Sequence, residues 1–112
     1  MLLISVQQGE EVIEVLTREL RAERVRFGAI VSLIGAVDSA CISNMRKDDP
    51  GSDILTEYEQ PMELSGTGEI TEGRPHVHAV LGVEGDGSLS GHLHWARVES
   101  HFVNVYVMPM GR

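Results

Sequence analysis

Apolar positions follow a helical spacing once along this chain, near its start, and a β spacing nearly everywhere after it. Leu2 to Val6 is a short apolar run bounded by Gln7-Gln8-Gly9, which predicts a first strand leading into a helix. From Glu10 to Arg24, Val12, Leu16 and Leu20 recur every fourth residue with Ile13 beside them, while Glu10, Glu14, Arg18, Arg21 and Glu23 fall elsewhere. That spacing predicts an amphipathic helix. Its acidic start, Glu10-Glu11, and its basic end, Arg21 and Arg24, suit the helix dipole, and Glu14 with Arg18 makes a favourable i,i+4 pair. The arginines therefore read as a solvated helix face rather than a binding patch.

After Phe27-Gly28 the pattern turns to β. Ala29 to Ile34 is nearly continuous in apolar residues, Gly35 interrupts it, and Ala36 to Ser43 alternates, which predicts two strands or one bent strand. Lys47 to Asp53 has the composition of a turn. Ile54 to Tyr58, Met62 to Gly66 and Thr67 to Ile70 read as shorter strands separated by Pro61 and by Gly66-Thr67-Gly68. Val77 to Val83 and Leu89 to Val98 flank Glu84-Gly85-Asp86-Gly87-Ser88, whose glycines suit a hairpin, and Val103 to Met108 is a last strand. The expected fold is α+β, with one main helix and an antiparallel sheet of about seven strands. There is no internal repeat and no low-complexity segment.

Composition narrows the class. With 112 residues, 42% of them apolar and 23% charged, the chain reads as one globular domain over residues 1–112. A net charge of −8 repels phosphate backbones and anionic lipid heads at long range, which argues against DNA and membrane partners. Apolar runs fall far short of the ~20 residues of a membrane span, and Met1-Leu2-Leu3-Ile4 is not a targeting leader, so a cytoplasmic location is expected. The single cysteine, Cys41, sits in an alternating stretch and reads as a buried, inert thiol.

Four of the five histidines form two His-x-His pairs, His76-Val77-His78 and His92-Leu93-His94, on two strands joined by the glycine-rich turn. Residues i and i+2 of a strand share a face, so each pair sends two imidazoles to one side. Across the hairpin His78 faces either His92 or His94, at the roughly 5 to 8 Å Cβ spacing of cross-strand neighbours. Imidazoles so placed can converge on a zinc-like ion, and three of them leave a fourth position open to water or substrate. A lone His-x-His pair on a half-exposed strand is more often merely solvated; two pairs on adjoining strands favour a metal. Gly91 permits close backbone approach beside His92, and Arg74-Pro75 fixes an extended start to the other strand. His101 stands apart and reads as an ordinary polar residue.

Pro75-His76-Val77-His78, then Gly85-Asp86-Gly87-Ser88 and Ser90-Gly91-His92-Leu93, resemble the signature of the plants-and-prokaryotes conserved (PPC) domain, a His-x-His strand, an Asp-Gly turn and a Gly-Gly-His-Leu strand. Ala29 to Val37 and Met62 to Gly68 resemble that family's upstream strands, so the likeness covers nearly the whole chain. The resemblance implies a one-helix α+β fold, assembly as a homotrimer, and zinc held in prokaryotic members by the signature histidines, here His76, His78 and His92. His94 lies outside the pattern, as a group supporting the site, an alternative ligand or surface. Ser90 replaces the first glycine of Gly-Gly-His, and Asn104 stands where a glutamate is usual.

Three functions follow as expectations. The first is a metal-dependent binding or assembly module with a small-molecule ligand at the ion. The second is DNA binding, by analogy with plant relatives that carry AT-hooks; here Glu72-Gly73-Arg74-Pro75 holds only part of the Arg-Gly-Arg-Pro motif. The third is a zinc-dependent lyase resembling acetolactate decarboxylase, with Glu63 as proton donor and Arg74 or Arg97 orienting a carboxylate. The blander roles are surface charges for the arginines and a strand-edge carboxylate for Glu63. Glycine-rich nucleotide loops, CxxC pairs and nucleophile elbows are absent, which removes most other enzyme classes.

Overall fold

Tight turns set the architecture. In the computed structural model, which describes residues 1–111, strand β1 (Leu2–Val6) is followed by helix α1 (Val12–Ala22) and then by two long strands, β2 (Phe27–Arg46) and β3 (Asp49–Thr71). Arg46 pairs with Asp49, so only Lys47-Asp48 lies between β2 and β3. Strand β4 (Arg74–Gly82) follows after Glu72-Gly73, whose φ angles of 52° and 78° are the paired positive values that match a two-residue turn to strand twist. Strands β5 (Ser88–Arg97) and β6 (Val103–Pro109) complete the chain.

The sheet has six strands rather than the expected seven or so, because two anticipated breaks in β3 do not occur. Pro61 is accommodated where Glu59 pairs with Ser39 and Met62 with Val37, an irregularity that puts one extra residue on β3 and spares the ladder the missing N–H. Gly66 and Gly68 lie within the strand, pressed against the backbone carbonyls of His78 and His76, where any Cβ would collide. Their role is close strand approach, not a turn. The turn expected over Lys47 to Asp53 shrinks likewise, and Asp53 becomes a strand residue opposite Met45.

Strand order is β1-β6-β2-β3-β4-β5, and β5 returns to pair with β2. One edge of β2 serves two partners in succession, β6 along Gly28 to Gly35 and β5 along Ser39 to Ser43, while β3 takes the other edge. This closes β2, β3, β4 and β5 on themselves. The anticipated bent strand is thus a single 20-residue element.

Helix α1 is shorter than the expected Glu10 to Arg24 because Glu11 caps it. The Glu11 carboxylate accepts from the backbone N–H of Ile13 at 2.9 Å and Glu14 at 2.8 Å, and also from Ala96 at 2.9 Å, tying the helix start to β5. Val12, Val15, Leu16 and Leu20 are buried in one core cluster with Leu33, Leu64, Val77, Leu81 and Val105. Each leucine so buried contributes roughly 2 to 3 kcal/mol. Arg18 bridges to Glu10 and Glu19 instead of Glu14, in exposed pairs that add little. Cys41 is buried, and burial together with the Glu57 carboxylate pushes its thiol pKa up, which keeps it unreactive. Among the described residues no helix is long and apolar enough to cross a membrane.

Candidate metal centre

The register of the closed part of the sheet lines up side chains of one face across four strands. Thr67 on β3 faces His78 on β4, His78 faces His92 on β5, and His92 faces Ser43 on β2. The hairpin therefore sets His78 against His92, not His94. Pairing of β4 with β5 runs from Gly82 to His78 and stops there, so His76 and His94 lie just beyond the last paired residues.

The rings gather at that opening. His76 stands 5.0 Å from His78 and 4.6 Å from His92 between ring centres, and His92 stands 4.6 Å from His94, all edge to face. Imidazoles sharing a tetrahedral ion at about 2.0–2.1 Å have centres roughly 5 Å apart. Among the described residues, no group of three or more His, Cys, Asp or Glu side chains is placed so that it could hold a metal ion as it stands.

The decisive atom is Nδ1 of His92, which is buried without a hydrogen-bond partner. An orphaned buried ring nitrogen costs stability unless something binds it. Burial, with His76, His94 and His78 close by, lowers the pKa of His92 below the usual histidine value, against an opposing pull from Asp53. The ring is thus kept neutral, the form that binds a metal. His94 is committed differently, its Nε2 lying 2.7 Å from Oγ of Ser43, a serine only 3% exposed. A supporting role for His94 fits this geometry better than a ligand's.

A cleft of about 780 Å³ opens over the histidines, lined among others by His76, His78, His92, Ser43, Asn44 and Asp53. Gly91 lets β2 come close, since a Cβ there would lie 2.6 Å from the Ser43 carbonyl and 2.8 Å from the Asn44 amide nitrogen. That amide donates to the Ser90 carbonyl at 2.8 Å.

Other residues expected at the site lie elsewhere. Glu63 lines a second cleft of about 620 Å³ with Glu84, Asp86 and His101. Arg74 shares the β4 face of the histidines but sits opposite Thr71 at the turn and does not line their cleft, and Arg97 is opposite Ser39 at the far end of β5. Ser43, Asn44 and Asp53 were not anticipated. A serine at the end of the apolar run Ala40-Cys41-Ile42 is the one sequence signal that could have revealed the first.

The sequence profile of the Plants and Prokaryotes Conserved (PCC) domain matches residues 1–110. The chain belongs to that family. Solved structures share the PCC fold: a plant- and prokaryote-conserved (PPC) protein of Pyrococcus horikoshii is 22% identical with a TM-score of 0.84, covering 99% of this chain and 79% of its own. A protein of Bacteroides thetaiotaomicron, described as a candidate DNA-binding protein, is 21% identical with a TM-score of 0.82 over 98% of this chain and 78% of its own. A metal-containing protein of Archaeoglobus fulgidus is 28% identical with a TM-score of 0.78 over 99% and 80% respectively. No curated protein matches the sequence. The stretch from Pro75 to Leu93 that resembles the family's signature falls on β4, the following loop and β5, the segment that carries the histidine rings.

Proposed function

We propose that this PCC domain is a metal-binding protein that holds one divalent ion, zinc, on His76, His78 and His92 and admits a small ligand through the cleft above them. The observation that carries this reading is the buried, partnerless Nδ1 of His92 beside two further imidazoles at near-ligand spacing. The metal-containing relative of A. fulgidus supports it. When bound, the ion supplies a Lewis-acidic position. The chain's own residues do the rest: β4 and β5 fix the rings by register, and Ser43 fixes the orientation of His94. Asn44, anchored to Ser90, shapes the polar wall.

The assembly proposed is a homotrimer in the cytoplasm. Supporting it are exposed Leu3, Ile34, Ile54 and Leu55, and the outer edge of β3 before Met62, which has no strand partner among the described residues. Light scattering at micromolar concentration is expected to return three chains per particle; a monomer would contradict it.

The descriptions of relatives as DNA-binding carry less weight here. The −8 charge opposes phosphate approach, and Gly73-Arg74 is consumed by the turn into β4. Duplex binding is expected to be weak, salt-sensitive and without sequence preference. The lyase reading loses its proton donor, because Glu63 opens onto the other cleft. Elemental analysis of untagged protein tests the main proposal: about one zinc per chain is expected, and none would sink it.

A further inference from the structure

Each of the three proposed ligands has a polar side chain directly across a strand from it, and two of these come from β3. Glu69 is the register partner of His76, Thr67 of His78, and Ser43 of His92. Directly opposed residues share a face, with Cβ atoms roughly 4.5 to 5.5 Å apart. Gly66 and Gly68, on either side of Thr67, let β3 press against the carbonyls of His78 and His76, which keeps the strands close at these pairs. Glu69, Thr67, His76 and His78 together wall a small cleft of about 240 Å³. Ser43 is already engaged with His94 at 2.7 Å. Glu69, in contrast, is exposed, and among the described residues Arg18 is the one cation that forms ion pairs, so Arg74 on the same face does not hold the Glu69 carboxylate.

We propose that Glu69 is a positioning residue of the metal centre, its carboxylate accepting a hydrogen bond from the ring N–H that His76 turns away from the ion. The inference rests on the three-histidine reading above and deepens it. An imidazole that binds a metal through one nitrogen presents the other as a donor, and a carboxylate on that donor fixes the tautomer and the ring orientation and raises the basicity of the ligand. His76 needs such support most. It lies beyond the last β4–β5 pair, so its strand is flanked there by β3 alone, whereas His78 is paired on both sides. Between two exposed side chains the contact adds little by itself, so its effect falls on metal affinity rather than on folding.

Zinc titrations of the full chain by calorimetry, with urea midpoints of the metal-free proteins, test this on wild type, Glu69→Ala, Glu69→Gln and Glu59→Gln, the last an equal charge change on β3 opposite Ser39. Glu69→Ala is expected to weaken zinc binding about ten-fold, the lower end of what losing such a partner costs, with an unchanged urea midpoint. Glu69→Gln, which keeps an acceptor oxygen, should fall between Glu69→Ala and wild type, and Glu59→Gln should match wild type. By NMR of the zinc-loaded proteins, the His76 ring N–H should exchange slowly with water in wild type and rapidly in Glu69→Ala. Cobalt(II) in place of zinc should show the same coordination number in its visible spectrum for both; a change would make Glu69 a ligand and overturn its positioning role. Wild-type affinity in Glu69→Ala, equal N–H exchange, or an equal loss in Glu59→Gln would also overturn that role and leave the histidine centre standing. A wild-type chain that takes up no zinc would overturn both.

Discussion

The histidine cleft takes its rings from positions within or next to paired strands, whereas the cleft beside Glu63 is walled by the Glu84–Ser88 loop and by His101 in the connection before β6. Both contain histidine and carboxylate, yet their side chains live under different constraints. In the first, the register Thr67–His78–His92–Ser43 fixes which groups meet, and one ring nitrogen is buried without a partner. In the second, Glu63, Glu84, Asp86 and His101 are exposed, as His76 and His78 are in the first, but among the described residues no ring nitrogen there is buried without a partner. What sets the first cleft apart is the single ring, His92, that the fold withdraws from water with a valence unmet.

Substitutions that remove a ring from one cleft and a charge from the other should separate them most sharply. His78→Ala is expected to abolish stoichiometric zinc binding, weakening it by at least about a hundred-fold, while His101→Ala and Glu63→Gln leave metal content unchanged. Equal metal content in wild type and His78→Ala would erase the distinction. Glycines give the next largest contrast. Gly91→Ala forces a Cβ against the Ser43 carbonyl and the Asn44 side chain and is expected to destabilise the fold by about 1 to 3 kcal/mol. Gly87→Ala, in the second cleft, meets only Val83 at an ordinary 3.5 Å and should stay within about 0.5 kcal/mol. Urea midpoints of the two proteins decide the matter.

Ser43→Ala strips His94 of its partner and is expected to lower stability by about 1 kcal/mol while zinc still binds, because the ligands themselves are intact. Loss of zinc equal to that of His78→Ala would make His94 a ligand. The smallest effect concerns acid. The folded-state pKa of His92 lies below the unfolded one, so the folded chain binds fewer protons there. His92 therefore contributes stability above the ordinary histidine pKa of about 6.5, and that contribution is lost as pH falls through its folded value. Metal-free protein should show a falling urea midpoint on acidification over that interval. His92→Gln should flatten the slope, and His101→Ala should not.

Much of this was legible in the sequence, and the misses share a cause. Helix α1 and the β4–β5 hairpin follow from periodicity and turn chemistry alone, since both are local. So does the pairing of two His-x-His segments. Local composition misled where a distant strand decided the outcome. Gly66 and Gly68 look like chain breakers, but β4 needs their missing side chains to come close. Lys47 to Asp53 looks like a loop, yet two residues suffice to turn, and Asp49 and Asp53 pair with β2 on either side of the unpaired Pro50-Gly51-Ser52, which is how Asp53 enters the cleft unannounced. Glu63, Arg74 and Arg97 were grouped by chemistry; strand register, invisible in one sequence, sends them to other parts of the sheet.

The double service of β2 also bears on how the chain folds. The hairpins β2–β3, β3–β4 and β4–β5 close between neighbours in sequence, but Ser43 must find His92 and Leu2 must find Val107 across long stretches of chain. Loop closure makes such distant pairings slow, on the ms–s scale typical of sheet topologies. His76, His78 and His92 lie within a single hairpin, so the ring cluster can assemble before β2 arrives to roof it with Ser43 and Asn44. A cation taken up early at the proposed site would therefore select the correct β4–β5 register while the seam between β2 and β5 is still open.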